Sequence, residues 1–192
     1  MERAARLVLL CHASTAATRT SSFPADEPLD PRGLQKLAAF GRRLSDADHS
    51  FTSPALRAVQ TAEGLKLDAR VEPALRDLDH GRWAGGSFDD VHAEEPDAIA
   101  AWLADPRAAP HDGESVVKLI ERVRRWLDDR KEHPGLTLAV THPSVVRAAI
   151  VAAIDAGPLA YWRIDVAPLS LTRLSAIGGR WNFVSLSRSC GE

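Results

Sequence analysis

The sequence predicts an α/β protein with a three-layer α/β/α arrangement, a mostly parallel central sheet and an antiparallel edge strand. Three observations predict it. Two short apolar runs, Leu7 to Cys11 and Leu136 to Val140, read as strands buried on both faces. Segments of helical period alternate with them, as in a sheet covered on both sides. The last third, Trp162 to Leu186, carries two or three strand-like runs parted by Gly178-Gly179, which places the antiparallel edge at the C-terminus. With 192 residues the chain suits one well-buried domain, taken as 1–192, and is short for two.

The elements follow in order. After the first strand, Ala16 to Glu27 is rich in Ser, Thr and Ala and reads as a loop. Asp30-Pro31 opens a helix, the aspartate as N-cap and the proline at the first helical position, with Leu34, Leu37, Ala38 and Leu44 on one face. Asp48 to Ser53 is a second strand, and Ser53-Pro54 starts a helix that carries Arg57 in its first turn. Ala69 to Glu72 makes a short strand closed by Pro73. From there to Phe88 the chain is irregular and dense in Gly, Asp, His and Arg, as a functional loop would be. Asp89 to Leu103 is helical with an interruption at Pro96, and a long amphipathic helix runs from about Glu114 to Arg130. The strand Leu136 to Val140 ends on Thr141-His142, and Pro143 starts the helix Ser144 to Ala156.

Composition narrows the function classes. A net charge of −2 with both signs mixed offers no basic face for nucleic acid. The apolar run before His12 is too short for a signal peptide, and Val145 to Ile154 carries Arg147 and is too short for a bilayer span, so no membrane is expected. Cys11 and Cys190 form neither a disulfide framework nor a zinc pattern, which fits a reducing cytoplasm. A homodimer is left open.

Both clear strands end in a histidine. Ligands of open parallel sheets bind at the carboxyl ends of the strands, so His12 and His142 are expected in one crevice, with Arg57 delivered to the same edge. Two imidazoles and a guanidinium suit a phosphoryl group: the arginine clamps its oxygens, and an imidazole can attack phosphorus.

The chain resembles the histidine phosphatases, the phosphoglycerate-mutase-like superfamily. LVLLCHAST stands where that family has a strand ending in Arg-His-Gly-x-Thr, and PLDPRGLQKLA is similar to its next helix start. TSPALRAVQTAEGL resembles its S-P-L-x-R-A-x-Q-T-A segment, LRDLDHGRWAG its L-x-E-x-x-x-G-x-W-E-G loop, DGESVVKLIERV its G-G-E-S helix start, and LAVTHPSVVRAAI its V-x-H-G-x-x-I-R strand and helix. The resemblance implies a phosphatase that uses no metal or other cofactor and acts on a small phosphorylated substrate. It makes His12 the nucleophile, gives Arg57 and His142 the phosphoryl oxygens, and makes Asp77 the acid for the leaving oxygen, with Asp79 as the competing acid. Thr15 aligns with the family threonine, and Ser14 and Thr15 either cap the loop or donate to ligand oxygens. Trp83 alone of the tryptophans is placed to line the site.

Three positions depart from the family pattern. Cys11 stands where a clamp arginine is usual, Ala13 replaces glycine, and His142 is followed by Pro143-Ser144. By analogy with an oxyanion-hole donor, losing the clamp costs about 3–4 kcal/mol of transition-state stabilisation. Arg19 is the first candidate to replace it, ahead of Arg76 and Arg82. A cysteine-based phosphatase fits poorly, because Arg19 lies two residues too far from Cys11 for a Cys-x5-Arg loop. Two alternatives stay open: a degenerate member that binds an anionic metabolite or partner without turnover, and non-phosphate chemistry with His12 or Asp77 as acid–base. Arg122, Arg124 and Arg125 read as a solvated helix face.

Overall fold

The computed structural model describes residues 4–40, 44 and 47–187. Its strands β1 (Ala5–Cys11), β2 (His49–Thr52), β3 (Arg70–Val71), β4 (Gly135–Thr141), β5 (Leu171–Ile177) and β6 (Arg180–Ser187) join one six-stranded sheet in the order β3-β2-β4-β1-β5-β6. The first four strands are mutually parallel, and β5 and β6 run antiparallel at one edge. The β5–β6 hairpin turns on Gly178 and Gly179, whose φ of 60° and 75° lie in the left-handed region that two-residue hairpin turns require.

Side chains alternate across the two central strands, and each face has its own core. Leu7 and Leu9 of β1 and Ala139 of β4 pack under α6 (Val116–Lys131) and α7 (Pro143–Ala153). Leu10, Leu138 and Val140 point the other way, against α2 (Pro31–Ala38) and α3 (Leu56–Gly64). The three-layer arrangement follows from that alternation.

Most expected elements are present. Asp30 caps α2 by accepting from Gly33 N at 2.6 Å, with Pro31 at the first helical position. The helix stops at Ala38, so Leu44 falls outside it. The segment expected as a loop after β1 contains a short helix, α1 (Ala16–Thr20), because Thr15 and Thr18 cap it reciprocally. The interrupted helix at Pro96 is two helices, α4 (Phe88–Glu94) and α5 (Pro96–Ala104). The first strand-like run of the last third, Arg163 to Leu174, follows a 3-10 turn, Pro158–Arg163, and only its end, from Leu171, lies in β5. Cys190 lies outside the described residues. Among those described, no helix is long and apolar enough to cross a membrane.

Candidate active site

A cavity of about 190 Å³ opens at the carboxyl ends of β1, β2 and β4, and His12, Arg57, Asp77, His80 and Arg147 line it. His142 lies directly beneath. Its ring is fully buried, 5.2 Å from that of His12 and tilted 64° to it. A larger groove, about 530 Å³, lies elsewhere on the sheet around Val8 and Leu138, and none of the expected site residues borders it.

Each group is fixed by local structure. His12 follows the last residue of β1, and its Nδ1 sits 2.7 Å from the carbonyl oxygen of Ala13. A carbonyl only accepts, so Nδ1 carries the hydrogen and Nε2 keeps its lone pair. The Ala13 N–H donates to Thr61 Oγ1 (3.1 Å), and that hydroxyl donates to the Arg57 carbonyl (2.7 Å), which ties the loop after His12 to α3. Gly33 permits the next contact. A Cβ there would stand 2.3 Å from the Ser14 carbonyl oxygen, so only glycine lets α2 approach the loop after His12 this closely.

Arg57 is buried, and each of its terminal nitrogens has a partner. Nη1 donates to the Ala25 carbonyl (2.7 Å) and Nη2 to Asp77 Oδ2 (2.6 Å), with Glu27 3.8 Å from Nη1. Asp77 also accepts from the Ser144 hydroxyl and from Leu78 N (2.8 Å), and its Oδ2 lies 3.3 Å from His142 Nδ1. His142 Nε2 pairs with Ser53 Oγ at 2.6 Å. Beneath the loop, Arg122 donates to the carbonyls of Ala74 (2.7 Å) and Arg76 (3.1 Å) and pairs with Glu114.

Burial sets the protonation states of the two imidazoles. It lowers His12 to about 4, against the opposing hydrogen bond to Ala13, and lowers His142 to about 3, against the opposing charge of Asp77. Both rings are therefore neutral near pH 7. Burial works against the charge on Asp77, but His142, the Arg57 guanidinium, His80 and the Ser144 hydroxyl outweigh it and hold the carboxyl well below the usual range. Such a site can present a neutral nitrogen nucleophile to an electrophile while a carboxylate and a guanidinium flank it.

The expected set divides. His12, Arg57, Asp77 and His142 come together. Arg19 does not reach the cavity, because its Nε is held by Asp30 Oδ2 at 2.7 Å. Cys11 does not border it either. The thiol shares the core-facing side of β1 with Leu7 and Leu9, and burial, reinforced by the Asp77 charge, raises it far above a thiol's usual value. Ser14 donates to Asp30 and Thr15 caps α1, so both serve the loop rather than the cavity. Asp79 holds the Gly81 N–H at 2.9 Å, outside the cavity wall. Trp83 is core, while Trp102 and Trp162 form the wall. Arg122 is not solvated: it is 8% exposed and braces the Asp77 loop. Sequence reasoning gave no role to Ser53, Ser144, Glu27 or Arg147. Arg147 did leave a signal, as the lone charge in the otherwise apolar run of α7.

Residues 7–189 match the Histidine phosphatase superfamily (branch 1). The chain belongs to that superfamily. The chain is 30% identical over 186 residues to the bifunctional protein Rv2228c of Mycobacterium tuberculosis, an alignment covering 90% of this chain and 51% of that one. It thus spans about half the length of the first curated relatives it matches. It is 31% identical over 184 residues to the glucosyl-3-phosphoglycerate phosphatase of the same species, covering 83% of this chain and 79% of that protein. The solved structure of a mycobacterial glucosyl-3-phosphoglycerate phosphatase complexed with VO3 superposes with a TM-score of 0.80 at 27% identity, over 93% of this chain and 96% of that one.

Proposed function

We propose that this histidine phosphatase hydrolyses the phosphomonoester of a small metabolite through a phosphohistidine on His12. The observation that carries the reading is the His12 ring: Nδ1 bound to the Ala13 carbonyl leaves Nε2 unprotonated, beside Arg57 and Asp77. Nε2 attacks phosphorus, an N–P bond forms and the ester P–O bond breaks. The phosphoryl oxygens take up Arg57 and the Nε2 of His142, which gives up Ser53. Drawing the Arg57 donor away frees Asp77 to hold the proton that a monoanionic ester brings in and to pass it to the leaving oxygen. Water then attacks the phosphohistidine, Asp77 takes its proton, and phosphate leaves. Positioning and electrostatic stabilisation supply most of the acceleration, as in phosphoryl transfer generally. The protonated, protected Cys11 thiol suits a reducing cytoplasm.

Incubation with p-nitrophenyl phosphate tests the reading, wild type against His12→Ala. Turnover and an acid-labile phosphoryl-protein are expected in the first and absent in the second; equal rates in both would overturn it. The replacement of the clamp arginine by buried Cys11 favours a second reading, a protein that binds a phosphorylated metabolite without turnover. Ligand-induced thermal stabilisation with no His12-dependent hydrolysis across a metabolite panel would select that one.

A further inference from the structure

We infer that Glu27 accepts the hydrogen of a protonated phosphoryl oxygen, so that the cavity admits oxyanions that carry a hydrogen and rejects those that carry none. The inference rests on the reading that the cavity holds a phosphoryl group. Glu27 borders the cavity together with His12 and Arg57. Both of its carboxylate oxygens are shut off from solvent, and neither accepts a hydrogen bond. The one cation paired with it among the described residues, Arg57 Nη1, stands 3.8 Å from Oε2 and already donates to the Ala25 carbonyl. That separation is beyond hydrogen-bond reach. An enclosed acceptor without a donor is costly, most of all when it is a carboxylate.

The titratable and charged groups around the cavity give Glu27 no hydrogen. Arg57 of α3 spends Nη2 on Asp77 at 2.6 Å. His12, at the end of β1, spends its ring hydrogen on the Ala13 carbonyl, and burial keeps the ring neutral. On the loop after β3, Asp77 is itself an acceptor, and burial lowers His80 toward its neutral form. Arg147 of α7 is taken up by the Ile164 carbonyl and by Tyr161. A ligand has to bring the hydrogen. Arg57 draws a phosphoryl oxygen in, and the same guanidinium stands beside Glu27, whose charge is felt at the His12 ring. Two bare oxyanions in that position repel, whereas a hydrogen between them makes a charge-assisted bond. Burial would raise Asp77, yet His142 and Arg57 hold its carboxyl well below the usual range. Asp77 therefore takes the proton only after the guanidinium has moved to the phosphoryl oxygens, and Glu27 is the acceptor that meets it first.

Anion binding tests this without turnover. At pH 8 inorganic phosphate is chiefly a dianion that keeps one hydrogen, whereas sulfate matches its shape and charge and has none. Wild type is expected to bind phosphate about tenfold or more tightly than sulfate in calorimetric titration, with matching thermal stabilisation. Glu27→Gln should bring the ratio to about one, chiefly by admitting sulfate. Glu27→Ala, which leaves no amide to donate to sulfate, should lose the preference as well, and Glu27→Asp should keep part of it. A wild type that binds the two anions alike, or a preference that survives in the Gln and Ala variants, overturns the inference and leaves the phosphoryl reading standing. Binding of neither anion also overturns it; the phosphoryl reading survives that result if His12-dependent hydrolysis of p-nitrophenyl phosphate is present, and falls with it if hydrolysis is absent.

Discussion

Substituting methionine for Arg122 should cost this protein a large share of its stability. The guanidinium is 8% exposed and donates to both oxygens of Glu114, at 2.9 and 2.6 Å, as well as to the carbonyls of Ala74 and Arg76. Removing it strands a carboxylate whose side chain is only 9% exposed, with Arg76 as its one remaining cation at 3.4 Å. Breaking a buried pair from one side costs about 3–5 kcal/mol, out of a total of roughly 5–15 kcal/mol for an ordinary domain. With a urea slope of about 2–3 kcal/mol/M, the unfolding midpoint should fall by about 1–2 M. The double substitution Arg122→Met, Glu114→Met removes the stranded charge as well and should recover most of the about 3–5 kcal/mol that the single one loses. Urea unfolding of the wild type and both variants measures each quantity. A single-variant loss below about 1 kcal/mol, or a double variant less stable than the single, would show that the pair is not the brace described.

Two further outcomes follow from the site. In the unfolded chain both imidazoles titrate near the ordinary 6.5, whereas folding lowers His12 to about 4 and His142 to about 3. The unfolded state therefore binds more protons across that window. The stability their burial confers is complete above 6.5 and disappears as pH falls toward 4 and then 3; urea midpoints from pH 4 to 8 should show the slope, and His142→Gln should reduce it, while a flat wild-type profile would contradict neutral burial. Asp77→Asn should slow hydrolysis of alkyl phosphates by about 10²–10⁴, and p-nitrophenyl phosphate much less, because its leaving group needs no proton. Equal losses on both would remove Asp77 from the acid role.

The sheet and the two histidines were legible because periodicity and strand ends are local signals. His12 and His142 each close an apolar run, and open parallel sheets gather such residues at one edge. What was missed depended on partners distant in sequence. Arg19 looked available from the chain alone, yet the aspartate correctly read as the cap of α2 also holds its guanidinium. Cys11 could have been placed from the two-residue period of β1, which puts it with Leu7 and Leu9 on the side covered by α6 and α7. Arg122 falls at helical spacing with Leu119 and Trp126, both buried, so its clustering with Arg124 and Arg125 concealed a different face. Ser53 and Ser144 gave no signal of their own, since a hydroxyl beside a proline reads as a helix start whether or not a catalytic group is its partner.

The pairing of β1 with β4 sets Cys11 opposite Thr141, and His12 donates its amide hydrogen to the Thr141 carbonyl at 2.9 Å. The two imidazoles thus follow the last pair of two strands that lie about 4.8 Å apart in any sheet, close to the 5.2 Å between the rings. The backbone of the two strands is the ruler for this pair of rings. Grafting foreign connections onto the rim can retune which molecule is admitted while the spacing of the two imidazoles stays as the sheet dictates.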